Sequence, residues 1–193
     1  VSLDLYYSVP VAKTTIDINL EPFCIEQQNK SITGNLRSMQ NGWQSPNIID
    51  KVDPKFSQEI LKEANSYFYQ IDGKNDTWKL HMDNMWINVT FPGGSNVEHI
   101  HPNTFLSGVY YVTTPDSCGR IGFKHPCSFT EYDWKPQYFN HLNKITGPTQ
   151  YMDTNPHMLY LFPSWLSHYV EPNKSKSNRI SISFNISIKE LDR

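Results

Sequence analysis

Residues 179–188 read RISISFNISI, and the alternation is strict: Ile180, Ile182, Phe184, Ile186 and Ile188 fall on one face, Ser181, Ser183, Asn185 and Ser187 on the other. Successive side chains of a strand point to opposite sides, so this run specifies a strand with one apolar and one polar face. Five further segments share its texture. WKLHMDNMWINVTF, FLSGVYYVTT, GRIGF, HMLYLFP and LSHYVEP are rich in β-branched and aromatic residues and bounded by Gly, Pro, Asn or Ser. Several such strands with turn signals between them predict a mainly β domain, a sandwich or barrel. Ahead of them Asp53 can cap a helix, Pro54 suits its first position, and Phe56, Ile60, Leu61, Ala64 and Phe68 recur at helical spacing. Shorter strands are expected at LYYSVPV and ITGNLRSM.

With 193 residues and 38% hydrophobic content the chain suits one domain with a real core. Residues 1–80 are expected to form a helix and strand extension packed on that core. The aromatic, irregular stretch 125–157 is expected to be a long loop over a functional site, since idle loops of that length are uncommon. Net charge is −2, from 17 basic and 19 acidic residues without a block of like charges, so nothing favours nucleic acid or an anionic membrane as partner. The three cysteines show no zinc spacing and do not suggest a disulfide scaffold. No signal-peptide pattern opens the sequence, and no apolar stretch approaches the ~20 residues that cross a bilayer. A soluble, cytoplasmic protein is the expectation, and its long aromatic loops are compatible with a homodimer.

The chemistry starts at NVEHIHPN. Residues i and i+2 of a strand share a face about 6–7 Å apart, so His99 and His101 can aim at one point while Ile100 packs behind. His168, in LSHYVEP, can supply a third imidazole. Neutral imidazoles suit Fe(II), Zn, Cu and Ni alike, so the donors leave the metal open, and an HxH pair alone is also compatible with two ordinary polar residues at a strand mouth. Arg179 adds a second constraint. It follows the turn EPNKSKSN and opens the alternating strand on the polar face with Ser181 and Ser183. An arginine buried there needs an anion, and a carboxylate held in a bidentate fork is the natural one. Trp165 reads as core. Trp134 and Tyr138 read equally as loop anchors or substrate contacts, and His81, His125, His141 and His157 as ordinary polar residues.

These residues carry a resemblance. H-x-[D/E], a distal histidine, then an arginine followed by x-Ser is similar to the Fe(II)- and 2-oxoglutarate-dependent oxygenases, whose core is a double-stranded β-helix, a jelly-roll or cupin-like barrel. Within them GVYYVTTPDSCGRIGF, LFPSWLSHYVEPN…RISISFN and HIHP resemble a group of such oxygenases known from marine bacteria and phages. The resemblance covers about Trp86 to Ile186. It implies His99 and His168 as iron ligands, with Arg179 and Ser181 on the distal carboxylate of 2-oxoglutarate. Tyr111 follows as a second donor, because VYYV is similar to a strand of prolyl hydroxylase-like members. Asn88, placed on the strand before His99, would lie near the cosubstrate. The implied reaction couples decarboxylation of 2-oxoglutarate to succinate and CO2 with oxidation of a C–H bond in a small molecule or a protein side chain.

One position departs from the pattern. Where the superfamily carries Asp or Glu this chain has His101; Glu98 would face the other way, and Asn103 follows a proline. A three-histidine site is therefore expected, a donor set that zinc also accepts. Two other readings share the fold. GSNVEHIHPN and PSWLSHYVEPN resemble the two cupin motifs, with Trp165 and Pro172 at the motif's Gly and Asn positions, and a jelly-roll binding module without catalysis would make the histidines incidental. Arg179-x-Ser181 favours the oxygenase.

Overall fold

The computed structural model describes residues 2, 8–31, 34, 37–74, 76–127 and 134–191. In chain order the elements are β1 (Ala12–Thr15), α1 (Glu21–Lys30), β2 (Met39–Gln44), α2 (Pro54–Gln70), β3 (Trp78–His99), β4 (Leu106–Thr113), β5 (Ile121–Lys124), β6 (Thr149–Met152), β7 (Met158–Pro163), β8 (His168–Val170) and β9 (Arg179–Glu190). Every strand pairing is antiparallel. The sheet runs β1-β7-β4-β9-β3-β8-β5-β6, with β2 added on β3. It curls on itself as the expected double-stranded β-helix, and no described helix is long and apolar enough to cross a membrane.

The helix expected after Asp53 is α2. The Asp53 carboxylate accepts from the Lys55 backbone N–H at 2.9 Å, satisfying one of the donors that a helix start leaves free. Phe56, Ile60, Ala64, Tyr67 and Phe68 form its buried face. That face lies on the apolar side of β3, β4 and β9, where Phe56 meets Tyr110 edge-on at 4.9 Å between ring centroids. Full burial of a side chain such as Phe56 or Ile60 stabilises the fold by roughly 1.5–3 kcal/mol. The isoleucine face of β9 closes the same core, with Ile182, Phe184 and Ile186 wholly buried.

Other expectations need correction. The expected strand LYYSVPV lies partly outside the described residues, and β1 starts only at Ala12. Half of ITGNLRSM also lies outside them, and its final Met39 begins β2. Helix α1 had no periodic signal, because Cys24 is its only buried residue. The 125–157 stretch is not one irregular loop: it contains a short 3-10 turn, Pro136–Tyr138, and strand β6, which pairs with β5. Trp165 is 55% exposed rather than core, because the turn between β7 and β8 carries it outward.

Strand β3 positions the site. From Trp78 to Thr90 it pairs with β9; beyond Pro92-Gly93-Gly94 it changes partner, and Asn96 and His99 pair with β8. Gly93 has a φ of 81°, which glycine adopts without penalty, and opposite it Asn41 has a φ of 54° at a register shift in β2. Asn41 Nδ2 donates to the Pro92 carbonyl at 2.8 Å, and the wholly buried Asn173 exchanges backbone hydrogen bonds with Gly93 and Gly94.

Candidate metal and cosubstrate site

His99, the last residue of β3, lies opposite His168, the first residue of β8, as a cross-strand pair with ring centroids 4.3 Å apart. His101, expected in the strand, lies just beyond it, where its backbone N–H donates to the Ser164 carbonyl at 2.9 Å. Ile100 between them is 49% exposed instead of packing behind the pair. The three imidazoles still converge: their ligand atoms lie within 4.8 Å of one another, with no carboxylate in the group among the described residues. Glu98 does face away, and accepts from the Ser167 hydroxyl at 2.7 Å.

Each ring is oriented through Nδ1. His99 meets the Val97 carbonyl at 2.8 Å, His168 the Leu166 carbonyl at 2.9 Å, and His101 the Asn185 Oδ1 at 2.7 Å. A carbonyl oxygen can only accept, so each Nδ1 carries the proton and each Nε2 keeps its lone pair. The orientation of the Asn185 amide is matched by its other contacts, Oδ1 also accepting from Ser107 Oγ and Nδ2 donating to Asn84 Oδ1. The Nε2 of His101 is buried without a hydrogen-bond partner. Burial keeps the rings neutral: it lowers the pKa of His99, of His101 to about 4 and of His168 to about 3, helped for the last two by the neighbouring imidazoles. Phe123 and Phe162 pack on His168, and Trp86 stacks on His101 at 5.8 Å. Three neutral, pre-oriented nitrogens, one of them orphaned, fit a divalent metal ion.

The same cavity contains Arg179, Ser181, Tyr111 and Asn88. Asn88, Ser181 and Tyr111 are directly opposed on β3, β9 and β4, with Thr90 and Arg179 paired two positions further on, on the same face. Asn88 thus shares one long strand with His99 rather than lying on a preceding one. Its amide is engaged, Oδ1 accepting from Gln44 at 2.7 Å and Nδ2 donating to Ser183 at 2.9 Å. Arg179 is 2% exposed, and its guanidinium donates to the carbonyls of Cys118 and Glu171 and to Thr90 Oγ1, with no carboxylate among its described partners. Burial lowers its pKa, opposed by the nearby Tyr111. The Tyr111 hydroxyl is buried with no partner, and burial pushes its pKa up while Arg179 pulls it down. A buried cation without a counter-ion beside an orphaned hydroxyl is a cradle for a carboxylate.

A family described as "Putative 2OG-Fe(II) oxygenase" matches residues 84–185, more than half of the chain. The chain belongs to this 2OG-Fe(II) oxygenase family. Solved structures share the fold of this oxygenase at low identity. A Pseudomonas putida prolyl-4-hydroxylase is 12% identical with a TM-score of 0.57, covering 93% of each chain. A Trichoplax adhaerens prolyl hydroxylase, in complex with a hypoxia-inducible-factor peptide, is 13% identical with a TM-score of 0.60, over 92% of this chain and 83% of its own. HygX from Streptomyces hygroscopicus, with nickel and 2-oxoglutarate bound, is 8% identical with a TM-score of 0.59, over 93% and 83%. No curated protein matches the sequence.

Among the residues singled out in the sequence, the cavity collects His99, His101, His168, Arg179, Ser181, Tyr111 and Asn88. His81, His125, His141 and His157 are not in the metal-capable group; His157 instead meets the Tyr110 hydroxyl at 3.2 Å. Trp134 and Tyr138 are 45% and 62% exposed. Asn185, Gln44, Ser183 and Trp86 were not singled out as site residues. Asn185 and Ser183 could have been found, since they lie on the same polar face of β9 as Arg179.

Proposed function

We propose that this oxygenase is a 2-oxoglutarate-dependent dioxygenase in which His99, His101 and His168 hold Fe(II), and Arg179, Ser181 and Tyr111 receive the distal carboxylate of 2-oxoglutarate. The observation that carries the reading is that a buried guanidinium without a counter-ion and a buried hydroxyl without a partner share one cavity with three converging imidazoles. When bound, the metal would supply the O2 chemistry that couples decarboxylation of 2-oxoglutarate to oxidation of a C–H bond in a small molecule or protein side chain. Arg179 fixes the far end of the cosubstrate in a fork, Tyr111 and Ser181 complete the hydrogen bonding, and Asn88 positions Ser183 and Gln44 around it. Phe123 and Phe162 exclude water behind His168. We place the enzyme in the cytoplasm, whose reducing poise suits the buried thiols of Cys24 and Cys118.

The test is an anaerobic titration of metal-free protein with Fe(II) and 2-oxoglutarate. A visible charge-transfer band that needs both components supports the reading. Tight zinc retention without any 2-oxoglutarate binding would sink it and return the site to a cupin-type, three-histidine metalloprotein.

A further inference from the structure

A second cavity, of about 120 Å3, adjoins the first and shares Gln44 and Trp86 with it. Arg37, Ser45, Asn47 and Asn84 also line it. Its polar groups can be accounted for one by one. Gln44 accepts from the Arg37 backbone N–H and donates to Asn88; Ser45 Oγ donates to the Pro46 carbonyl and accepts from the Ile87 N–H. Asn47 Oδ1 accepts from the backbone N–H groups of Ile49 and Met85, and Asn84 Oδ1 accepts from Asn185. What these side chains leave to solvent or a ligand is of one kind: the guanidinium of the exposed Arg37, the Nδ2 of the exposed Asn47 and the Nδ2 of the half-buried Asn84, each a donor. Arg37 forms no salt bridge among the described residues.

Donors converging on one cavity, one of them a planar cation, suit an oxyanion that displaces their water. We propose that this cavity binds a carboxylate of the primary substrate, with Arg37 as counter-ion and the amides of Asn47 and Asn84 as flanking donors. The position supports the assignment. Trp86 stacks on the ring of His101 and lines both cavities, so a group held by Arg37 lies just across the indole from the imidazole trio. The carboxylate of 2-oxoglutarate has its own arginine, Arg179, so Arg37 answers a second acid. The inference rests on the oxygenase reading only in calling that acid the substrate.

The experiment uses zinc-loaded protein saturated with 2-oxoglutarate, so that Arg179 is occupied, titrated with sodium benzoate and separately with benzamide while the Trp86 indole N–H is followed by NMR. Benzoate is expected to bind about tenfold or more tightly than benzamide, and R37Q to erase that preference while leaving 2-oxoglutarate binding unchanged. A parallel titration with N-acetyl-aspartate amide distinguishes sources. Arg37-dependent binding of that compound assigns the carboxylate to a protein side chain, and binding of benzoate alone assigns it to a free acid. Absence of carboxylate binding, or binding that R37Q does not alter, overturns the proposal. Should 2-oxoglutarate itself fail to bind, the oxygenase reading falls, whereas the benzoate titration of the same protein still reports on Arg37.

Discussion

Asn185 Oδ1 accepts a hydrogen bond from His101 Nδ1 at 2.7 Å, and the same amide also meets Ser107 Oγ and Asn84 Oδ1. Asn185 therefore stands behind His101 as backbone carbonyls stand behind His99 and His168. It is the one side chain that holds the tautomer of the residue replacing the usual acid.

Asn185→Leu should keep the fold and weaken metal affinity roughly 10- to 100-fold, the usual effect of removing a group that orients a ligating histidine. Titration with Co(II) or Zn(II) reads the loss directly. Metal affinity equal to wild type would mean that His101 is not a ligand.

Arg179→Ala should weaken 2-oxoglutarate binding by about thirtyfold or more, since truncating one partner of a buried, hydrogen-bonded charge pair costs about 2–5 kcal/mol. Metal content should be unchanged. His168→Ala should lose both, and calorimetric titration of the two variants separates the roles.

Tyr111→Phe separates binding from stability. The hydroxyl it removes has no protein partner, so the metal-free variant should be as stable as wild type or up to about 1 kcal/mol more stable in urea unfolding. Affinity for 2-oxoglutarate should still fall by roughly 5- to 10-fold. A hydroxyl that belongs to the protein interior alone would leave cosubstrate affinity untouched.

Acid should loosen the metal-free protein early. His101 and His168 stay neutral in the fold down to about 4 and about 3, whereas in the unfolded chain they protonate near the ordinary value of 6.5. Between those limits the unfolded state binds more protons, so stability is full above 6.5 and declines as pH falls through the window, by at most about 1.4 kcal/mol per pH unit for His168. Urea midpoints from pH 7 to 4 should show the decline, and His168→Gln should flatten it.

Gly94→Ala tests the place where β3 changes partner. A Cβ there would collide with the Asn41 carbonyl oxygen, a backbone atom that cannot swing aside. A destabilisation of about 1–3 kcal/mol is expected, measured by thermal or urea unfolding.

The strands that carry the site were legible because each obeys a local rule: alternation in β9, β-rich runs for β4 and β7, and a capped, amphipathic pattern for α2. Arg179, Ser181 and His168 could be found on that basis. Helix α1 and strand β1 escaped for a physical reason, since Cys24 alone is buried on α1 and β1 is held at the sheet edge by its ladder to β7. Trp165 misled because an aromatic ring inside FPSWLSHYV reads as core, yet a turn between two strands turns it outward. The Asn185–His101 contact joins residues 84 positions apart and needed three-dimensional register to appear.

Asn88 and His99 lie on one uninterrupted strand, although that strand serves two different neighbours along its length. The spacing between the Asn88 end of the cavity and the first imidazole is thus written into the covalent chain and its Gly93-Gly94 bend. Loosened packing between elements could swing Arg179 or His168 without lengthening that span. The enzyme carries its own ruler, and hydrogen exchange along β3 would show whether both ends of it open together.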